Sequence, residues 1–464
     1  MEKLDAVPAQ AGARDLKSAG HRASWTAPGV PQQAGRAATS DQATWRDWLA
    51  SSWSPLASST SLSSSLTPSL AEAASLAAGG AWRSWGRTRR RLGDELGEKP
   101  EAAHRLPELP GGYLYPVLAW GPNNQVAGLK EALVLGRMLG RTVIVHDILN
   151  HYDDKPAEGA ASGGGDVHRS MDFSLVFDFD HLSRHQSVVT LAERLEAGWD
   201  ARLDAVAHFG PKFLAQIKNA RALNVSDEGA EYIDFERFDC SGEQMEEVKQ
   251  RLMQHKVVAF IVYENIVRDA GHGIKLRVTG ELCHDEYLRV SGQLTKSDAL
   301  VAMATEFRAK RLGGGKEPYM AIHVRPYPDT CLYLWKRDKY NMDLAKRSCK
   351  NKNLYNVFVD QTVKAMKARQ LKSLFVMSYP DLRPRISAMF AAVGVEPIYY
   401  SEADLEEAVG YMSVSLLGMV EEEIAYEADA FIGTSYSSMS SIIMQERYAR
   451  GKPKGSTSTF TRTS

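Results

Sequence analysis

From residue 111 onward, short apolar runs alternate with helix-length amphipathic stretches, and that alternation restricts the chain to a small set of folds. Tyr113-Leu-Tyr-Pro-Val-Leu-Ala-Trp120 reads as a buried strand that runs into the turn Gly121-Pro-Asn-Asn124. Val126, Leu129 and Leu133 then share one helical face, Gly140 ends the helix, and Thr142-Val-Ile-Val145 begins a second strand. Such a unit points to a parallel, doubly wound α/β sheet. Residues 203–223 and 244–255 read as helices and 257–262 as a strand. A second series comes after it: a helix over 297–312, strands at 319–325, 374–377, 397–400 and 430–432, and helices over 356–368 and 405–426. Two Rossmann-like domains facing a central cleft are expected, over 106–290 and 291–464.

Residues 1–105 are rich in Ala, Ser, Gly and Pro, include Ser58-Ser-Thr-Ser-Leu-Ser-Ser-Ser65, and carry the basic run Arg87-Thr-Arg-Arg-Arg91. A segment of this composition buries too little apolar surface to offset its ordering entropy, so it reads as a disordered, low-complexity segment or linker. Formal net charge is −1, which indicates neither a nucleic-acid surface nor a polybasic membrane contact. No run of 18 apolar residues marks a membrane span, and the first 30 residues lack the basic start and apolar core of a signal peptide. The four cysteines include no C-x-x-C pair, so zinc is not expected. Cys331 and Cys349 either bridge a loop in an oxidising compartment or remain ordinary thiols. Asn224-Val-Ser226 is a glycosylation sequon whose meaning depends on secretion.

The chemistry-bearing residues sit where strands end. Tyr319-Met-Ala-Ile-His-Val-Arg325 is an apolar strand closing on His323 and Arg325, two residues apart and therefore on one face at the carboxyl edge. Ligands occupy that edge in open α/β sheets, and a guanidinium fork suits the paired oxygens of a pyrophosphate. Asp329, four residues on, either orients Arg325 or contacts the ligand. In the turn after the first strand, Asn123 or Asn124 either caps the following helix or reaches a phosphate or sugar hydroxyl. Phe431-Ile-Gly-Thr-Ser-Tyr-Ser-Ser-Met439 leaves a strand through Gly433 into a hydroxyl-rich turn that either caps a helix or cradles phosphate oxygens. Asp178-Phe-Asp180 has the spacing of a divalent-metal pair, but the doubly wound pattern argues against the fold in which such pairs hold metal.

Taken together, these residues resemble the GDP-fucose protein O-fucosyltransferase family, including its plant and algal branch. Asn124-Gln125, Glu131-Ala-Leu-Val-Leu135 and Leu139-Gly-Arg-Thr142 are similar to its amino-terminal motif, and Phe177-Asp-Phe-Asp-His-Leu182 to a second segment that needs no metal. His323-Val-Arg325 with Asp329 resembles its third motif. Ala428-Asp-Ala-Phe-Ile-Gly433, Ser437-Ser438 and Glu446-Arg447 resemble its last. The resemblance implies a GT-B fold and inverting transfer of fucose from GDP-fucose to a protein or glycan hydroxyl, with no cofactor or metal. It implies that Arg325 meets the β-phosphate and stabilises departing GDP, supported by His323 and Asp329. Asn124, with Asn123 beside it, would contact phosphate or fucose, and Ser437, Ser438 and Met439 would line the GDP pocket. It also implies a Golgi or endoplasmic-reticulum lumen, and with it an incomplete amino terminus. Three departures stand out: Tyr379 where members often carry an Asp, Met439 where they carry an aromatic, and no glutamate beside Pro122. These keep open another nucleotide-deoxysugar donor such as UDP-rhamnose, or a non-catalytic nucleotide-sugar-binding protein.

Overall fold

A computed structural model describes residues 107–151, 154, 170–208, 211–235, 242–261, 281–326, 331, 354–435 and 437–460. The amino-terminal segment over 1–105, the loop at 159–165, Cys349 and Asp329 lie outside the described residues. In chain order the strands are β1 (Tyr113–Pro116), β2 (Thr142–Val145), β3 (Ile148–Leu149), β4 (Ser170–Met171), β5 (Val188–Thr190), β6 (Ala205–His208), β7 (Glu231–Asp234), β8 (Val257–Ile261), β9 (Tyr319–His323), β10 (Ser373–Met377), β11 (Pro397–Ile398), β12 (Ala430–Gly433) and β13 (Thr457–Thr459). They form a six-stranded sheet in the order β5-β2-β1-β8-β6-β7 and a five-stranded sheet in the order β11-β10-β9-β12-β13. Every pairing in both sheets is parallel. Among the described residues, the small ladder of β3 and β4 is antiparallel. β1, β2, β6, β8, β9 and β12 are buried along their whole length, which is why they read as continuous apolar runs.

Two expectations of the sequence are corrected. Residues 203–223 are not one helix, because Ala205-Val-Ala-His208 is strand β6, paired with β7 and β8. Its four residues are all buried, and a short apolar run covered on both faces has no period that separates strand from helix. Residues 405–426 form two helices, Glu402–Val409 and Val414–Glu427, parted where Gly410 turns left-handed at φ 79°. Strands β5, β7 and β13 were not legible: they are short, and β7 is mostly exposed.

Six helices build the core and the cleft: α1 (Pro122–Leu139), α2 (Phe179–His185), α3 (Glu281–Gln293), α4 (Asp298–Arg311), α5 (Val414–Glu427) and α6 (Ser438–Ala449). Leu129 and Leu133 of α1, Tyr287 of α3, Phe307 of α4, Val420 of α5 and Ile443 of α6 belong to one apolar core, which also takes side chains from both sheets. Inside it lie two buried lysines. Lys130 of α1 pairs with Glu446 of α6, and Lys296, just before α4, pairs with Glu422 of α5 at 2.9 Å. Cys283 and Cys331 are buried and each takes part in a disulfide, so the free-thiol reading of Cys331 fails.

An unpartnered charge in such a core costs far more than the pair contributes. Lys130→Ala, which strands Glu446, should therefore lose about 3–5 kcal/mol of stability in urea unfolding. The double change Lys130→Met with Glu446→Leu should recover most of that loss.

Candidate functional site

Strand β9 is central in its sheet, and its ladder continues one residue past the strand, with Val324 N–H donating to the Met377 carbonyl at 2.9 Å. Thr434, at the exit of β12, then holds the strand end. Its hydroxyl donates to the His323 carbonyl at 2.5 Å and accepts from the Arg325 N–H at 3.0 Å. Ser440, in the first turn of α6, accepts from the Thr434 N–H at 2.9 Å and bonds His323 Nδ1 at 2.8 Å. A Cβ on Gly433 would lie 2.7 Å from Ser440 Cβ, so only glycine allows this approach. The hydroxyl-rich turn thus fixes both the ring of His323 and the backbone from which Arg325 springs. Thr434 and Ser440 do this, rather than the Ser437 and Ser438 that the sequence brings forward.

The facing wall is the turn between β1 and α1. Pro122 takes the first helical position, where a missing N–H is harmless. The cap is Gly121, with no side-chain cap bond, so neither asparagine serves as the cap. Gln125, fully buried, fixes the turn. Its amide donates to the carbonyls of Trp120 and Leu149 at 2.8 and 2.7 Å and accepts from the Leu149 N–H at 2.9 Å. Asn123 lies near enough to the Glu422 carboxylate to oppose the rise in its pKa, while its own side-chain carbonyl is buried without a partner.

Between the walls lies a cavity of about 150 Å³. It gathers Asn123, Asn124, His323, Arg325, Ser437, Ser438 and Met439, every candidate among the described residues. Three others line it, of which the sequence had marked only Tyr379, as a departure from the family pattern, and had given no sign of His151 or Glu421. His151 and Tyr379 meet edge to face across the cavity, with ring centroids 6.3 Å apart. The chain holds His151 there by donating its N–H to Ser415 Oγ at 2.8 Å, while Asp154 accepts from Ser413 Oγ and the first N–H groups of α5 at 2.7 to 2.9 Å. Glu421, the third, is buried beside Arg383 Nη2 at 3.1 Å. Burial pushes its carboxyl up to about 8, Arg383 opposing and Glu422 adding to the rise. A Glu-Glu-Glu run reads as a solvated face, so no sequence signal marked it.

The Asp178-Phe-Asp180 segment has a structural use. Asp178 caps α2 by accepting from the His181 N–H at 2.9 Å, and Asp180 lies in the first turn. Among the described residues, no group of three or more His, Cys, Asp or Glu side chains is arranged to hold a metal ion.

Three comparisons bear on the site. The family model described as GDP-fucose protein O-fucosyltransferase matches residues 115–450. A crystal structure of POFUT1 in complex with GDP-fucose is similar in fold, with TM-score 0.51 and 17% identity over 76% of this chain and 99% of that chain. The fucosyltransferase NodZ from Bradyrhizobium aligns at TM-score 0.38 and 12% identity, over 75% of this chain and 93% of its own. No curated protein sequence matches the chain.

Proposed function

We propose that the cleft of this chain, which belongs to the GDP-fucose protein O-fucosyltransferase family, moves fucose from GDP-fucose to a hydroxyl of a protein or glycan. The chain is a glycosyltransferase of that family. The finer reading is inverting transfer on a GT-B arrangement, with residues 106–290 on the acceptor side and 291–464 holding the nucleotide. The observation that carries it is the convergence of Arg325, Asn124 and the start of α6 on one cavity.

The acceptor oxygen attacks the anomeric carbon from the face opposite the diphosphate, its hydroxyl proton leaves to water, and the bond from that carbon to the β-phosphate oxygen breaks. Negative charge then grows on departing GDP. Arg325, rooted in the strand end clamped by Thr434, is placed to meet it without moving, and pre-positioned donors act this way on developing charge. The first N–H groups of α6, beside Ser437, Ser438 and Met439, add the positive end of a helix. Asn124 faces them from the other wall and reaches the phosphate or the sugar, and His323 and Asp329 support Arg325. Protein donors alone meet the charge in this reading, with no metal.

Glu421 supplies the base reader. An ionised carboxylate accepts from the two adjacent N–H groups on the Watson–Crick edge of guanine, a pairing that uracil cannot offer. His151 and Tyr379 wall the same space with aromatic rings. The oxidising lumen of the secretory pathway fits two observations: Cys283 and Cys331 are disulfide-bonded, a state that persists in such compartments, and Asn224 is exposed on a surface turn. No helix among the described residues is long and apolar enough to cross a membrane.

Arg325→Ala should lower kcat/KM for fucose transfer about 100- to 1,000-fold, and turnover near the wild-type value would remove Arg325 from this role. In calorimetry GDP should bind more tightly than UDP, and the reverse order would point to a uridine donor. Glu421 gives the titration a sign. Free protein holds a proton there below about 8, and guanine selects the ionised form. GDP affinity should therefore rise from pH 6 to pH 8, by up to about tenfold per pH unit, and flatten above. Glu421→Gln should bind GDP weakly with no such slope. Endoglycosidase treatment of protein purified from its native cells should remove a glycan from Asn224, and an unmodified asparagine would count against the lumen.

A further inference from the structure

Arg383 sits where the fold gains little from a cation. It is the first residue of the helix Arg383–Ala391, the end at which the helix dipole disfavours positive charge. Its side chain is buried, and its Nε has no partner, although taking a guanidinium out of water is costly. In return it gains the face of the Tyr399 ring, 5.4 Å away, and, among the described residues, a hydrogen bond from Nη2 to Glu421 Oε1 at 3.1 Å. An apolar side chain of similar volume would serve the packing as well. The cation is therefore explained by what it does to Glu421.

The next glutamates of α5 are held differently. Arg450 grips Glu423 through two bonds of 2.9 and 3.0 Å, and Lys296 meets Glu422 at 2.9 Å in the core. Arg383 takes one oxygen of Glu421. The other, Oε2, accepts nothing from the described residues, yet it is not among the side-chain atoms sealed from solvent without a partner, so it opens on the cavity that Glu421 lines. We infer that Arg383 is a positioning residue for nucleobase recognition, which anchors one oxygen of Glu421, leaves the other to the base, and so sets the preference for guanine. This rests on the reading of Glu421 as the guanine contact. Charge works in the same direction. Burial raises the Glu421 carboxyl and Glu422 adds to the rise, while Arg383 holds it down. Tyr399 and Tyr400, just after β11, lie within electrostatic reach of Glu421 and stay neutral, because burial raises both phenols. His151, His323 and Arg325 share the cavity and are common to every variant below, so differences between variants isolate Glu421.

Calorimetry on the full chain at pH 8 tests this with GDP, with inosine diphosphate, which lacks the 2-amino group of guanine, and with pyrophosphate, which lacks a base. Wild type should prefer GDP to inosine diphosphate about tenfold or more, the worth of a hydrogen bond to a charged group. Arg383→Met, or Arg383→Gln should the methionine variant fail to fold, should bring that ratio below about threefold, while pyrophosphate affinity stays within about twofold. Arg383→Lys keeps the charge and should keep most of the preference. Carboxyl carbon NMR on nucleotide-free protein, with Glu421→Gln to assign the signal, supplies a readout that a merely structural arginine would not move. The Glu421 midpoint should lie at least about one pH unit higher in the uncharged variants than in wild type. An unchanged GDP preference in those variants, a loss of pyrophosphate binding in step with GDP, or an unmoved Glu421 midpoint would each overturn the proposal. Failure of the guanine reading appears separately, as wild type that binds GDP and inosine diphosphate alike while the nucleotide-free titration still reports whether Arg383 governs Glu421.

Discussion

Two lysines buried in a shared core, each neutralised by a carboxylate from another helix, dictate how the helices dock. Lys130 is wholly buried, and its removal from water pulls its pKa down while Glu446 pushes it back up. Because Glu446 answers that charge, α1 docks on α6 in one register. That register fixes the cleft. Asn123 lies about two helical turns from Lys130 along α1, and Ser438 lies about two turns from Glu446 along α6, so the pair sets both amino termini at the same level on opposite walls. A hydrophobic replacement can match such a pair in stability while losing this registry.

Helix α5 extends the same logic into the site. Glu421, Glu422 and Glu423 are consecutive, so their side chains fan out around the helix, and each finds its own cation. Glu421 meets Arg383, Glu422 meets Lys296, and Glu423 meets Arg450 through two bonds of 2.9 and 3.0 Å. Asn123, in the cleft turn, lies near the Glu422 carboxylate and opposes the rise in its pKa. Arg447 closes the other end of α5, donating to the carbonyls of Ala425, Tyr426 and Ala428 at 3.0, 3.1 and 2.6 Å. A guanidinium there satisfies carbonyls that the helix leaves open.

Several motifs that the sequence presents as functional prove to be supports. Phe177 lays its ring 5.1 Å from the Lys296 ammonium, and Asp178 caps a helix. Asp429 accepts from the Tyr319 N–H at 3.0 Å and donates its own N–H to the Tyr319 carbonyl at 3.0 Å, which sets where β9 begins. Gln125 ties the cleft turn to β3. Spacing alone cannot separate these from ligand contacts, because a residue that orients the site sits as near the strand end as one that touches the substrate.

Periodicity and turn chemistry are local properties of the chain, so the residues alone were enough to establish most of the alternation of strands and helices, the strand end at His323 and Arg325, the hydroxyl-rich turn beside it and the asparagine turn that faces it. Which polar groups went inside was settled by packing. Burial of the three glutamates, the choice of Ser440 for His323 and the pairing of His151 with Tyr379 all depend on contacts between residues far apart in the chain. Such contacts form where helix packing places the charges, and no local pattern encodes that placement.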